Sequence, residues 1–281
     1  MRRSIALAII VVSASAVIRS QDAVFSSKVE AVRVDVLVAD NGQPVRGLGP
    51  ADFEIRDNGV LQQVDLVSFD QIPLNVVLAL DMSDSVAGDQ LERLRAAGGA
   101  ILGGLQKSDQ AALVTFSQAI RLGAKLTGDV SLVRTALARA KGEGATSLID
   151  GVYAGIQIGA SDVGRALLVI FSDGLDTASW LPADKVLEAA KRSDVVAYSV
   201  AVRSPTKPEF LRELASLTGG RMFEVERTER LDSLFVSILQ EFRQRYLVSY
   251  TPKGVAREGW HKLDVRVKRS GTVKARPGYQ S

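Results

Sequence analysis

The chain has 281 residues, 46% of them hydrophobic and 24% charged, with a net charge of +3. This is ordinary globular composition, long enough for one large domain or two modest ones. The absence of cysteine excludes disulfides, thiolate metal sites, cysteine nucleophiles and lipoprotein anchoring together. The one histidine, His261, would have to carry any histidine-dependent catalysis. Basic residues interleaved with aromatics are not clustered anywhere, so no nucleic-acid partner is expected.

The first twenty residues have the form of an export signal. Arg2 and Arg3 give the positive end, Ile5 to Ile18 an apolar run, and Ser13 to Ala16 small cleavage-compatible residues. The run is about 14 residues, short of the ~20 that span a bilayer. An uncleaved signal anchor is the alternative, and the only membrane association expected. The mature chain is then expected outside the cytoplasm: periplasmic, cell-surface or secreted.

Residues 28–70 read as antiparallel strands. Val32, Val34, Val36 and Val38 alternate with Arg33 and Asp35, and Asp57-Asn58-Gly59 carries a strong hairpin signal between Phe53–Arg56 and Val60–Phe69. The pattern changes after Pro73. Short apolar runs at 74–80, 111–116, 166–171 and 195–202 suit strands buried on both faces of a parallel sheet. Helical spacing lies between and after them, at 90–105, 130–140, 147–158, 182–191, 209–217 and 231–242, which predicts βαβ units over 72–243. Strand patterns return at 245–250, 260–269 and 272–276. Two or three isolated strands are marginal in water. The expected fold class is therefore α/β, a mostly parallel sheet with helices on both faces. It would be inserted into a β-sandwich-like domain whose halves are 28–70 and 245–281.

The chemistry falls at the carboxyl ends of the apolar runs, where open parallel sheets bind ligands. Leu80-Asp81-Met82-Ser83-Asp84-Ser85 closes the first run and Phe171-Ser172-Asp173-Gly174 the third. The glycine-rich stretch from Gly142 to Thr146 leads into a helix and could bring the Thr146 hydroxyl from a third direction. Asp81, Ser83, Ser85, Thr146 and Asp173 are hard oxygen donors, suited to Mg2+, Mn2+ or Ca2+. Taken singly, Ser85 or Ser147 could be a helix cap, and Asp173-Gly174 a turn. Asp84 and Asp176 read as solvated loop acids, with hydrogen bonding around the site as the alternative.

In order and spacing, the D-x-S-x-S of 81–85, Thr146 and Asp173 resemble the metal-ion-dependent adhesion site of von Willebrand factor type A (VWA) domains. The flanks, including VRVDVLVADNGQPVRGL and RQRYLVSYTP, resemble a bacterial VWFA-related subfamily of exported proteins. The resemblance implies that Ser83, Ser85 and Thr146 give hydroxyls to the cation and that Asp81 and Asp173 bind it directly or through water. A partner's acidic side chain would take the open position, making the chain a non-enzymatic binding protein. Two other readings stay open. One is an accessory subunit of an envelope complex with a degenerate metal site, its Lys262, Arg266 and Lys268 either a solvated face or a surface for an acidic partner. The other is a Mg2+-dependent phosphohydrolase, disfavoured because Ser83 stands where the general acid is needed. Serine hydrolysis lacks a G-x-S-x-G elbow, and His261 is expected to be a half-buried strand residue.

Overall fold

The computed structural model describes residues 31–69, 72–172, 175–203 and 207–281. The expected export signal, and residues 28–30 of the first expected strand, lie outside them. Among the described residues no helix is long and apolar enough to cross a membrane.

Strand β1 (Val32–Asp40) opens the fold, followed by the two-residue β2 (Gln43–Pro44), β3 (Phe53–Asp57), β4 (Val60–Gln62) and β5 (Val64–Phe69). The α/β layer then runs β6 (Leu74–Asp81), α1 (Asp89–Gly103), β7 (Gln110–Phe116), β8 (Ile120–Thr127), α2 (Val130–Arg139), α3 (Leu148–Gly159) and β9 (Arg165–Ser172). It continues with α4 (Ala183–Arg192), β10 (Val196–Val202), α5 (Glu209–Leu217), β11 (Met222–Val225) and α6 (Leu231–Arg243). The chain closes with β12 (Tyr246–Tyr250), β13 (Trp260–Val267), β14 (Thr272–Lys274) and β15 (Gly278–Gln280).

The central sheet has the order β11-β10-β9-β6-β7-β8, parallel except for the antiparallel β7–β8 pair. Its middle strands, β6 and β9, are buried throughout, as their unbroken apolar runs require. One face packs on α1, α2 and α6, through residues such as Leu94, Val133 and Phe235. The other packs on α3, α4 and α5 through Val152, Val186 and Leu211. The two edge strands, β8 and β11, escape the pattern reading. β8 is largely exposed, with no apolar run to mark it, and β11 is only four residues long.

The ends of the chain fold onto one another as expected. One sheet has the order β14-β1-β12-β5 and the other β15-β13-β3-β4. Between them Val34, Val36, Val38, Phe53, Ile55, Tyr246, Val248 and Leu263 form a third core. Asn58 (φ 47°) and Gly59 (φ 84°) both adopt the left-handed backbone that a tight hairpin demands. Val60–Phe69, expected as one strand, is two. It breaks at Gln63, just after Gln62, whose side-chain amide donates to the Lys253 carbonyl (3.0 Å) and accepts from its backbone N–H (2.9 Å). β4 then stays in one sheet while β5 crosses to the other.

A second difference concerns Asp35. Alternation puts it on the polar side of β1, yet it is buried because that side faces the α/β domain. Its Oδ1 accepts from Arg165 Nε at 2.8 Å, and Arg165 Nη2 contacts the same oxygen. The Arg165 Nη2 also donates to the Phe242 carbonyl at 3.2 Å, and its guanidinium lies 4.8 Å from the centre of the Phe242 ring. One arginine thus joins β1, the start of β9 and the end of α6. Removing one member of a buried pair strands the other charge and costs about 3–5 kcal/mol. Asp35→Ala is expected to destabilise by about 3 kcal/mol on that ground, read as a lowered thermal midpoint. The double variant Asp35→Leu/Arg165→Met should recover much of the loss.

Candidate metal centre

Asp81 is the last residue of β6 and is fully buried. The chain turns out of the strand there, and the turn folds back on its own carboxylate. Asp81 Oδ1 accepts from the Ser83 backbone N–H at 2.9 Å and from the Ser83 hydroxyl at 2.6 Å. The Ser83 and Ser85 hydroxyl oxygens lie 3.0 Å apart. From the neighbouring strand, Ser172 at the end of β9 donates to Asp81 Oδ2 at 2.7 Å. Ser83 is buried and Ser85 exposed, so the oxygen set grades from the sheet edge outward to solvent.

The 142–147 loop is sewn onto this turn by the backbone. Glu143 N–H donates to the Met82 carbonyl at 2.8 Å and Asp84 N–H to the Gly144 carbonyl at 2.9 Å. Gly144 N–H returns a bond to the Asp84 carboxylate, also at 2.9 Å. Asp84 therefore bridges two loops while remaining exposed, which corrects its reading as a merely solvated acid. Ser147 N–H donates to the Ser117 carbonyl at 2.8 Å, fixing the exit of the loop. Ser147 is the N-cap residue of α3, but its hydroxyl makes no cap bond. Ser85 caps nothing, because α1 begins after Gly88. Thr146, buried, sits between these anchors.

A third loop closes on the second. The Thr146 carbonyl accepts from the Thr177 and Ala178 N–H groups at 2.9 and 3.0 Å, and Thr146 N–H donates to the Thr177 hydroxyl at 3.0 Å. Asp176, also expected to be free in solvent, accepts from Ile149 N–H (3.3 Å) and the Ser179 hydroxyl (2.5 Å). Asp150, in the first turn of α3, accepts from the Trp180 and Leu181 N–H groups, both at 2.9 Å. Ser172, Asp150 and Thr177 are the residues sequence reasoning misses. Only Ser172 carried a signal, as a hydroxyl at the end of an apolar run. Asp173 lies outside the described residues, between Ser172 and the loop at 175–182.

Of the five expected site residues, the structure thus links Asp81 and Ser85 through the Ser83 hydroxyl and places Thr146 in the loop joined to them. Oxygens sharing an octahedral shell at about 2.1 Å from a cation lie roughly 3 Å apart. The 2.6 Å and 3.0 Å separations around the Ser83 hydroxyl fit such an edge. Among the described residues no three His, Asp or Glu side chains converge elsewhere, as expected when hydroxyls supply much of the donor set. His261 is remote from it: its Nδ1 lies 2.8 Å from buried Asp57, and its ring stacks on Tyr279 at 4.5 Å. It is fully buried, deeper than its expected half-buried position.

The model of the von Willebrand factor type A domain matches residues 75–236. The chain belongs to this family. No curated protein matches it. Among solved structures, the VWA protein of Catenulispora acidiphila is 14% identical, with a TM-score of 0.55, over 79% of this chain and 70% of that one. Proximal thread matrix protein 1 from the mussel byssus, in a form described as having a zinc-occupied MIDAS motif, is 14% identical. Its TM-score is 0.56, over 66% of this chain but 49% of its own. An aerotolerance-related membrane protein of Bacteroides fragilis is 15% identical with a TM-score of 0.51, over 61% of this chain and 99% of that one. At such identities the likeness is one of fold.

In this VWA domain the join between the first two loops leaves no room beside Gly142. A Cβ there would lie 2.7 Å from the Val86 carbonyl oxygen and 3.3 Å from that of Ser83, both rigid backbone. Gly142→Ala is expected to push Thr146 away from Ser83 and cost about 1–3 kcal/mol. Hydrogen exchange should show the Glu143, Gly144 and Asp84 amides losing protection together, while those of β9 keep theirs.

Proposed function

We propose that this protein is an exported, non-enzymatic binding protein whose VWA domain holds a divalent cation and recognises an acidic side chain of a protein partner. The observation that carries the reading is the oxygen cluster of Asp81, Ser83 and Ser85 at the carboxyl edge of the sheet, with the loop that carries Thr146 hydrogen-bonded to the same turn. Asp81, Ser83, Ser85, Thr146 and Asp173 would hold the cation, which supplies an electrophilic position open to a carboxylate. A set of carboxylates and hydroxyls favours a hard ion, with Mg2+ first and Mn2+ or Ca2+ as alternatives.

The protein's own contribution is to hold the donors still. The Asp81 carboxylate is oriented by Ser83 in the turn after β6 and Ser172 at the end of β9, and the Thr146 loop is bonded on both flanks, so little order remains to be gained on binding. The rim adds an anchor. Trp180 is 93% exposed and Leu175 44% exposed, on the loop whose backbone Asp150 pins. A rigidly displayed, solvated tryptophan is an unfavourable feature for an isolated surface and a favourable one for a partner interface. Phosphoryl transfer is disfavoured, because a hydroxyl, Ser83, stands two residues after Asp81 where a general acid is needed. Location outside the cytoplasm is supported by the form of the N-terminal segment. The descriptions of the mussel matrix protein and the Bacteroides membrane protein agree with it.

Titration calorimetry with MgCl2, MnCl2 and CaCl2 tests the site. Asp81→Ala and Ser83→Ala are each expected to weaken cation binding at least tenfold with the thermal midpoint of the apoprotein nearly unchanged. A wild-type protein that takes up none of the three ions would overturn the reading. For the interface, Trp180→Ala should keep its cation affinity and lose tenfold or more in EDTA-sensitive capture of partners from envelope extract. A tenfold loss is about 1.4 kcal/mol, within the range above 1 kcal/mol that interface anchors show on truncation.

A further inference from the structure

At the opposite edge of the central sheet, where the VWA domain meets the sandwich, lies a cavity of about 550 Å³ lined by β1, β14, the end of α6 and the residue before β11. Its charged side chains are Arg221, Glu241 and Lys274. Behind them Arg245 is fully buried, its Nε and Nη2 within 3.2 and 2.8 Å of the Tyr198 hydroxyl oxygen. Among the described residues lining the cavity, Glu241 is the one acid, set against Arg221, Lys274 and the Arg245 behind them. Its Oε1 accepts from Tyr198 at 2.6 Å and its Oε2 from Arg221 at 2.5 Å, so both oxygens are taken. The closest approach of Arg245 to it is 4.0 Å. Arg245 Nη1 is buried with no hydrogen-bond partner. Lys274 forms neither an ion pair nor a side-chain hydrogen bond among the described residues. Positive charge thus exceeds negative in a partly enclosed space, with Arg245 reaching Glu241 only at 4.0 Å, an arrangement that favours a bound counter-charge.

We propose that this junction cavity is a binding site for a small oxyanion, a phosphate ester or a carboxylate, with Lys274 as its principal contact and Arg221 as the second. The volume suits a small molecule. Gln240 and Gln244, which also line the cavity, carry side-chain amide donors that could complete the anion's shell. The state of the lysine supports the assignment. Burial, then the positive charges of Arg221 and Arg245, push Lys274 down to about 8, against the weaker opposing pull of Glu241. An amine held down in this way is penalised when charged, and a bound anion relieves the penalty. Binding should therefore raise the Lys274 pKa, hold fully below pH 8 and weaken as the free amine loses its proton above that pH. The site draws on none of the residues assigned to the cation.

The test uses the full chain with succinate, whose charge is constant above pH 7, and with inorganic phosphate, each against NaCl of equal ionic strength. Calorimetry should show saturable binding of at least one of them at pH 7. Succinate, if it is the better ligand, should bind at least tenfold more weakly at pH 9.5. Lys274→Gln should lose the binding. Lys274→Arg should retain it but lose the pH dependence, since a guanidinium does not titrate in this range. Asp81→Ala should bind as the wild type does. A stronger response to phosphate would assign a phosphate ester, and a stronger response to succinate a carboxylate. Heats no larger than the NaCl control for both anions, or binding unchanged in Lys274→Gln, would overturn the proposal.

Discussion

The contact on which the molecule turns is the guanidinium of Arg165. It stands at the first residue of β9, reaches the Asp35 carboxylate of the sandwich and the Phe242 carbonyl of α6, and is almost wholly shielded from water. That burial constrains how the two domains meet. A charge so placed demands its partner, so β1 must lie against the foot of the central sheet, and α6 must end where it does. Arg33 and Arg276 extend the same junction, each pairing with Asp194 beyond α4. Arg276 also donates to the Lys191 and Ser193 carbonyls. The sandwich is therefore a fixed base for the VWA domain.

The same strand that begins at Arg165 ends at Ser172, whose hydroxyl is bonded to Asp81. β9 thus connects the junction to the candidate metal centre through eight fully buried residues. The site stands at the end of two buried central strands, and its loops are joined to each other by main-chain bonds. Such a centre is built to keep a fixed shape, which suits recognition through one open coordination position.

Much of this was legible from residue pattern. Runs such as Leu74–Leu80 and Ala166–Phe171 have no polar face, and only a strand covered on both sides can use them. Asp81, Ser83 and Ser85 could be grouped because their spacing follows from the end of such a run. What escaped detection depends on tertiary neighbours. β8 looks like a loop because its exposed side chains have no periodicity to display. Asp35 looks like a surface residue because nothing within the strand announces Arg165, 130 positions away. Asp84, Asp150 and Asp176 look like loop acids because a carboxylate that accepts backbone N–H groups has the same sequence signature as one that accepts water.

The sandwich is assembled from segments far apart in the chain, and this orders its formation in time. Asp57 meets His261 across 204 positions, and β5 and β12, which flank the VWA domain in sequence, are paired side by side from Phe69↔Tyr246 onward. Closing so long a loop in an unfolded chain carries a large entropic cost. A VWA domain that has already folded holds Phe69 and Tyr246 next to each other and removes most of that cost. During synthesis β1, β3 and β5 emerge long before β12, β13 and β14, the strands with which they pair across the insertion. The domain that carries the binding site thus serves as the template on which its own support is completed.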